Sequence, residues 1–178
     1  MTCSTGLPMH PETRPTADEW EHELIKTVDL IQPCLNQGCE QKWYVFANTT
    51  RPVCPFCGTP FKGKLPVLTL YSARKEGQYK PDNHRLMVYT NQSLFLWHAN
   101  RNVVPNEKLS AEQKHRVGYF VFHNGNWYLV NERLRDLMDV TTGTPCPPGN
   151  PMQLQEGQQI LLTREEGGRL AFVQMVDS

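Results

Sequence analysis

Val117-Gly-Tyr-Phe-Val-Phe-His123, Asn124-Gly125, Asn126-Trp-Tyr-Leu-Val-Asn131 decides the fold. Two runs of aromatic and β-branched residues flank an Asn-Gly step. Asn-Gly tolerates the positive φ that a type I′ turn requires at both central positions. The segment predicts a β-hairpin. Working outward, the same period of two recurs in Val67–Tyr71, Arg85–Thr90, Ser93–Trp97, Gln159–Thr163 and Arg169–Val176, the last two around Glu165-Glu166-Gly167-Gly168. About seven short strands separated by turn signals point to an antiparallel β-sandwich. Helical patterns do not alternate with the strands, which disfavours a parallel α/β fold. Phe120, Phe122, Trp127 and Tyr128 on this hairpin are read as core rather than as ligand-stacking residues.

Upstream the pattern changes. Thr16 followed by Glu19 forms a capping box. Trp20, Leu24, Val28 and Ile31 then repeat at helical spacing. A helix is expected from about Ala17 to Leu30, with Pro33 as its stop. Between helix and strands lies Cys34-x4-Cys39-x14-Cys54-Pro55-Phe56-Cys57-Gly58. Four thiolates suit the tetrahedral preference of Zn²⁺, and a Cys-x-x-Cys turn followed by Gly brings two of them to one face of a knuckle. Trp43, Tyr44, Val45 and Phe46 can pack over a module that otherwise has no core. The expected cofactor is structural zinc on Cys34, Cys39, Cys54 and Cys57. A redox role for Cys54 and Cys57 is the runner-up, but no βα junction of thioredoxin type accompanies them. Four cysteines leave no open position for catalytic zinc. Cys3 and Cys146 stand apart, and Cys146 reads as a loop cysteine. The chain so divides into 1–33, a helix and linker; 34–64, a zinc ribbon; and 65–178, the sandwich.

Lys plus Arg and Asp plus Glu each number 18, giving zero formal net charge. Binding that runs through nucleic-acid phosphates or acidic membranes needs an excess of positive charge. Lys42, Arg51, Lys62 and Lys64 near the ribbon make only a modest basic cluster. No apolar run is long enough to span a membrane. No secretory pattern is read at the start of the chain, and a cytoplasmic location is expected. Gly-x-Ser-x-Gly, His-Glu-x-x-His and the P-loop are all absent, so no independent catalysis is expected. His84, His98, His115 and His123 read as surface or turn residues. On loop 99–116, His98, Arg101, Lys114, His115 and Arg116 are candidates for gripping a phosphate, because binding groups concentrate on the loops of rigid sandwiches.

Gly6-Leu-Pro-Met-His-Pro-Glu-Thr-Arg14-Pro15-Thr16-Ala17-Asp18-Glu19-Trp20 resembles the end of a eukaryotic-type protein kinase domain, where such a segment opens the last helix of the C-lobe. The Gly-rich loop, strand Lys, His-Arg-Asp loop and Asp-Phe-Gly of that domain are absent from this chain. With the cysteines that follow, residues 6–60 resemble the C-terminal region of bacterial Ser/Thr kinases of tellurite-resistance and stress operons. In many such relatives His stands in place of Cys39, which is also a zinc ligand. The resemblance implies a protein partner: the kinase domain, a von Willebrand factor A-type protein or a phosphatase of the same operon.

The last hundred residues resemble a forkhead-associated (FHA) sandwich. His115, Gly125–Val130, Thr142-Gly143-Thr144 and Leu154-Gln-Glu-Gly157-Gln-Gln-Ile160 carry that likeness, which adds Thr142 to the candidate phosphate-binding residues. Trp97-His98 replaces the family's Gly-Arg, its Ser-Arg-x-x-His is blurred to Ser110–His115, and Thr142-Gly143 replaces its Asn-Gly. The phosphate-gripping groups are mostly absent. The resemblance implies the fold, with a degenerate phosphopeptide site. Together these features imply a non-catalytic regulatory or protein-interaction module of a bacterial kinase, with a nucleic-acid-binding zinc ribbon as the alternative.

Overall fold

Thr16 nucleates the first element. Its backbone N–H donates to Glu19 Oε2 at 2.7 Å, and its hydroxyl accepts from the Glu19 N–H at 3.3 Å. That reciprocal pair satisfies two of the donors a helix start leaves open. Helix α1 runs Ala17–Val28. This computed structural model describes residues 14–47, 50–75 and 77–177; Cys3 and the 6–13 part of the kinase-like motif lie outside them. The helix stops two residues before the expected end. The Asp29 N–H still bonds Ile25 O, but the Leu30 N–H tightens onto Thr27 O. The chain then extends as β1 (Ile31–Pro33), which pairs antiparallel with β2 (Trp43–Val45). Pro33 is therefore the last residue of a strand, opposite Trp43, and not the helix stop. The small sheet begins upstream of Cys34.

With 41% strand and 10% helix, the chain is mainly β. The remaining elements are β3 (Leu65–Lys75), β4 (Gln78–Met87), β5 (Ser93–Phe95), α2 (Leu96–Ala99), β6 (Arg116–His123), β7 (Asn126–Asn131), β8 (Met138–Asp139), β9 (Thr144–Pro145), β10 (Pro151–Gln153), β11 (Gln159–Leu161) and β12 (Arg169–Val176). The hairpin forms as its sequence dictates: Asn124 and Gly125 take φ of 49° and 79°, and Phe122 faces Trp127 across the ladder. Strand β4 starts earlier than expected and ends at Met87, while Leu96 and Trp97 belong to α2 rather than to β5.

The strands form two antiparallel sheets, ordered β10-β7-β6-β5 and β4-β3-β12-β11-β8-β9. They pack around one core. Leu94, Phe120, Leu129 and Met152 come from the first sheet; Leu68, Leu86, Ile160 and Val173 come from the second. Trp127 and Phe120 are core as expected, whereas Phe122 is 49% exposed. A second apolar cluster crosses the 64/65 boundary, joining Cys39, Tyr44, Phe46 and Cys54 to Leu65, Val67, Met87 and Val176. The cysteine module and one end of the two-layer unit thus share buried surface.

Asn131 organises the loop after the hairpin. Its Nδ2 donates to Leu134 O at 2.7 Å and to Cys146 O at 2.6 Å, and its Oδ1 accepts from the Leu134 N–H at 2.9 Å. Cys146 is held inside this arrangement, buried, rather than on an open loop. Asn131→Ala leaves three buried backbone groups without partners, each worth about 1–3 kcal/mol. Urea unfolding of this variant should show a loss of about 3 kcal/mol or more; a change under about 1 kcal/mol would mean the loop re-satisfies those groups.

Candidate metal centre

Cys34 follows β1 and Cys39 follows a turn in which the Asn36 carbonyl accepts the Cys39 N–H at 3.0 Å. Cys54 and Cys57 sit on a knuckle closed by the Gly58 N–H donating to Cys54 O at 2.9 Å. Gly58 has φ of 71°, a conformation that glycine adopts without steric cost. The isolated bridge Val53–Pro60 closes the knuckle's base. All four Sγ atoms lie within 4.8 Å of one another. The Cys34 and Cys57 Sγ atoms are 3.5 Å apart, and both cysteines are free.

That geometry fits a metal ion. Four thiolates at about 2.3 Å from a tetrahedral zinc stand about 3.8 Å from each other. Four free sulfurs turned toward one point, without disulfides, are the donor set that a divalent cation such as zinc takes. Hydrogen bonds from Thr59 draw the Cys57 thiol down to about 6, which favours the thiolate that metals bind. Burial instead pushes Cys34 up to about 12.

A second polar cluster lies under α1 and was not foreseen. Asp29, the C-cap of α1, is buried together with His84 of β4 and His98 of α2. His84 and His98 are therefore interior residues, against the expectation that both are surface or turn histidines. His84 Nε2 lies 2.5 Å from Asp29 Oδ2, and His98 Nε2 lies 3.2 Å from the same oxygen. The Phe95 N–H donates to His98 Nδ1 at 3.1 Å, so Nε2 must carry the hydrogen of the neutral ring. A metal-bound histidine has the opposite arrangement, with its outer nitrogen donating. The 2.5 Å contact is also a direct hydrogen bond rather than the spacing of two ligands on one ion. These three residues bring their ligand atoms together; the His84–Asp29 hydrogen bond clamps β4 to the end of α1, while His98 Nε2 stands near the same oxygen without hydrogen-bond geometry.

The residues expected to grip a phosphate do not converge as a set. His98 is buried beneath α1 because Asp29 needs partners, and so cannot meet a ligand on the loop. Arg116 is held by Glu132 through bonds of 2.8 and 2.9 Å and lies over the Tyr119 ring. Lys114 Nζ donates to Glu107 O at 2.9 Å. Thr142 donates to the Thr144 hydroxyl at 2.9 Å within its own turn. His115 is exposed. The Arg101 N–H donates to Gly167 O at 2.9 Å. Among the described residues no helix is long and apolar enough to cross a membrane. Comparison with family models, with curated proteins and with solved structures finds no match.

The buried clamp sets a pH dependence. Burial lowers the His84 pKa, with the Asp29 bond opposing. Burial would raise the Asp29 carboxyl, but attraction to His98 and His84 outweighs it and holds the carboxyl below its ordinary value. The unfolded chain protonates His84 near pH 6.5; the folded chain does so only at lower pH. The unfolded state therefore carries more protons in that window, and stability falls as pH drops below about 6.5. Asp29 acts with the same sign further down: its stabilisation is present above its unfolded pKa and is lost as pH falls through the folded value. Urea midpoints should be level above pH 7 and decline below it, and His84→Gln should flatten the upper part of the decline. An unchanged profile in that variant would remove His84 from the account.

Proposed function

We propose that the chain is a non-catalytic regulatory and protein-interaction module of a bacterial Ser/Thr kinase, with structural zinc on Cys34, Cys39, Cys54 and Cys57. The observation that carries this is the state of α1. The helix is firmly capped, yet none of its residues is buried. Trp20, Leu24 and Val28 project along one face at 57%, 57% and 59% exposure. Large apolar side chains aligned on a helix are normally covered, and a continuous uncovered stripe marks an interaction surface. The stripe belongs to the segment that resembles the last helix of a kinase C-lobe. A kinase lobe seated on it would bury all three side chains. Zinc supplies the folding energy of the cysteine module, on the order of 10 kcal/mol for small sites of this kind, and thereby makes a stiff connector between α1 and the two-layer β unit. The β unit is of forkhead-associated type in this proposal, its loops serving as a docking surface with a degenerate phosphopeptide site.

The metal part is tested by elemental analysis of protein purified without chelator, which should give about one zinc per chain. Cys57→Ser should lose the metal and loosen residues 34–64 and the Leu65–Val67 end of β3 with them, seen as accelerated amide exchange. Metal-free wild type with protected amides would overturn it. For the kinase part, the purified chain should capture a Ser/Thr kinase domain from its own genome that lacks the final C-lobe helix. Leu24→Asp should abolish capture while leaving metal content and circular dichroism unchanged. Capture that survives Leu24→Asp, or no capture by wild type, refutes the assignment of α1.

A further inference from the structure

The other side of α1 carries a different feature. Where the helix meets the β unit there is a cavity of about 20 Å³, room for one water-sized group. Five basic side chains from four elements line it: His22 and Lys26 of α1, His84 of β4, Arg101 of the loop after α2, and Arg169 of β12. No acidic side chain is in its wall.

Two of these groups are held in place before any ligand arrives. Arg169 is 7% exposed. Its Nε donates to Asp82 Oδ2 at 2.7 Å and its Nη1 to Trp97 O at 2.5 Å. Asp82 is itself fixed by the Ser72 hydroxyl. These bonds occupy two corners of the guanidinium, and among the described residues Nη2 has no hydrogen bond. Arg101 is pinned through its backbone. Its N–H bonds Gly167 O at 2.9 Å, and the side chains on both sides of it, Asn100 and Asn102, donate to Glu166 O at 3.0 and 3.1 Å. A side chain at Gly167 would strike both asparagines, so the approach of the two segments is close. The Arg101 guanidinium has no ion pair or hydrogen bond among the described residues. Burial is the main cause that lowers the Arg169 pKa, with Asp82 opposing it and the like charge of Arg101 adding a smaller push in the same direction. Lys26 has Glu23 as its partner at 2.7 Å, on the helix rather than in the cavity wall.

Three cations, Arg101, Arg169 and Lys26, gathered around a small space form a site for an anion. The fork of Arg matches the oxygens of a phosphoryl group, and a doubly charged oxyanion answers several positive groups at once. We propose that this seam binds a phosphoryl group, with one or two of its oxygens entering between Arg101, Arg169 and Lys26. Binding would tie α1 to the β unit through charge, independently of the cysteine cluster and of whatever covers the apolar stripe.

The experiment uses the full chain as purified, with inorganic phosphate as first probe. Phosphate should raise the melting midpoint saturably, while chloride at matched ionic strength should not. Arg101→Ala and Lys26→Ala alter exposed or half-exposed groups and should fold normally. Each removes a charged hydrogen bond, so phosphate affinity should fall about tenfold or more by titration calorimetry, with Arg101→Lys recovering part of it. Two further arms separate the sources of the group: a phosphothreonine peptide and its unphosphorylated form. Tighter binding of the phosphopeptide than of inorganic phosphate supports a protein-borne group, and binding of inorganic phosphate alone supports a free ion; both keep the site. Equal stabilisation by chloride, or unchanged phosphate affinity in the Arg101→Ala, Lys26→Ala double variant, overturns it.

Discussion

The carboxylate of Asp29 is the point at which the parts of this chain are joined. Asp29 ends α1, and its backbone carbonyl accepts the Met87 N–H at 2.8 Å, which ties the end of the helix to β4. Its side chain faces His84 of the same strand and His98 of α2. A buried carboxylate without partners costs several kcal/mol. The chain therefore cannot release α1 from the β unit without exposing or stranding that charge. The direction of the chain after the helix follows from this. Once Asp29 is fixed against β4, Leu30 and Ile31 lead away along the sheet, and the Phe46 N–H returns to Leu30 O at 2.8 Å. The cysteine module is thus placed by a histidine–carboxylate contact some distance from any cysteine.

The module depends on more than its sulfurs. It has two three-residue strands, too little sheet to stand alone. The shared apolar cluster supplies part of what the sheet cannot, and the four clustered cysteines are placed so that a metal ion could supply the rest. Tyr44 and Phe46 alternate inward from β2 and its extension, and they meet Leu65 and Val67 where β3 begins. Phe61 packs against both apolar clusters. The result is a connector with the cysteine cluster at one end and the edge of the main core at the other.

What was legible in the sequence was local. The Asn124-Gly125 turn, the Thr16–Glu19 box and the Cys-x-x-Cys knuckle each lie within a few residues, and each is dictated by backbone sterics or by the reach of one side chain. The four cysteines were legible as a set because no other arrangement uses them as economically. The clamp was not legible. Asp29 and His84 are 55 positions apart, and neither lies in a pattern that marks it as interior; His98 falls in Leu96–Ala99, whose apolar neighbours read as strand. Strands β8, β9 and β10 are two or three residues long, too short for a period of two to show. Several of the phosphate candidates have partners of their own, and these were illegible for a related reason. Proximity in sequence on loop 99–116 says nothing of whether a salt bridge such as Arg116–Glu132 has already consumed a side chain.

Zero net charge also takes on a different meaning once the fold is known. A balanced total excludes a broad cationic surface, but it does not require charges to be mixed evenly. Helix α1 carries Asp18, Glu19, Glu21 and Glu23 toward its start and Lys26 near its end, in keeping with the helix dipole. Its basic end meets Arg101 and Arg169 across the seam, while the acidic residues flank the apolar stripe. Charge is thus graded along one helix, acidic at its start and basic near its end, where Lys26 meets the β unit with Glu23 beside it at 2.7 Å. A ligand chosen by total charge would miss both ends. What the helix recognises is set by which side is presented, and Asp29 contributes to that by anchoring the C-terminal end of the helix to β4.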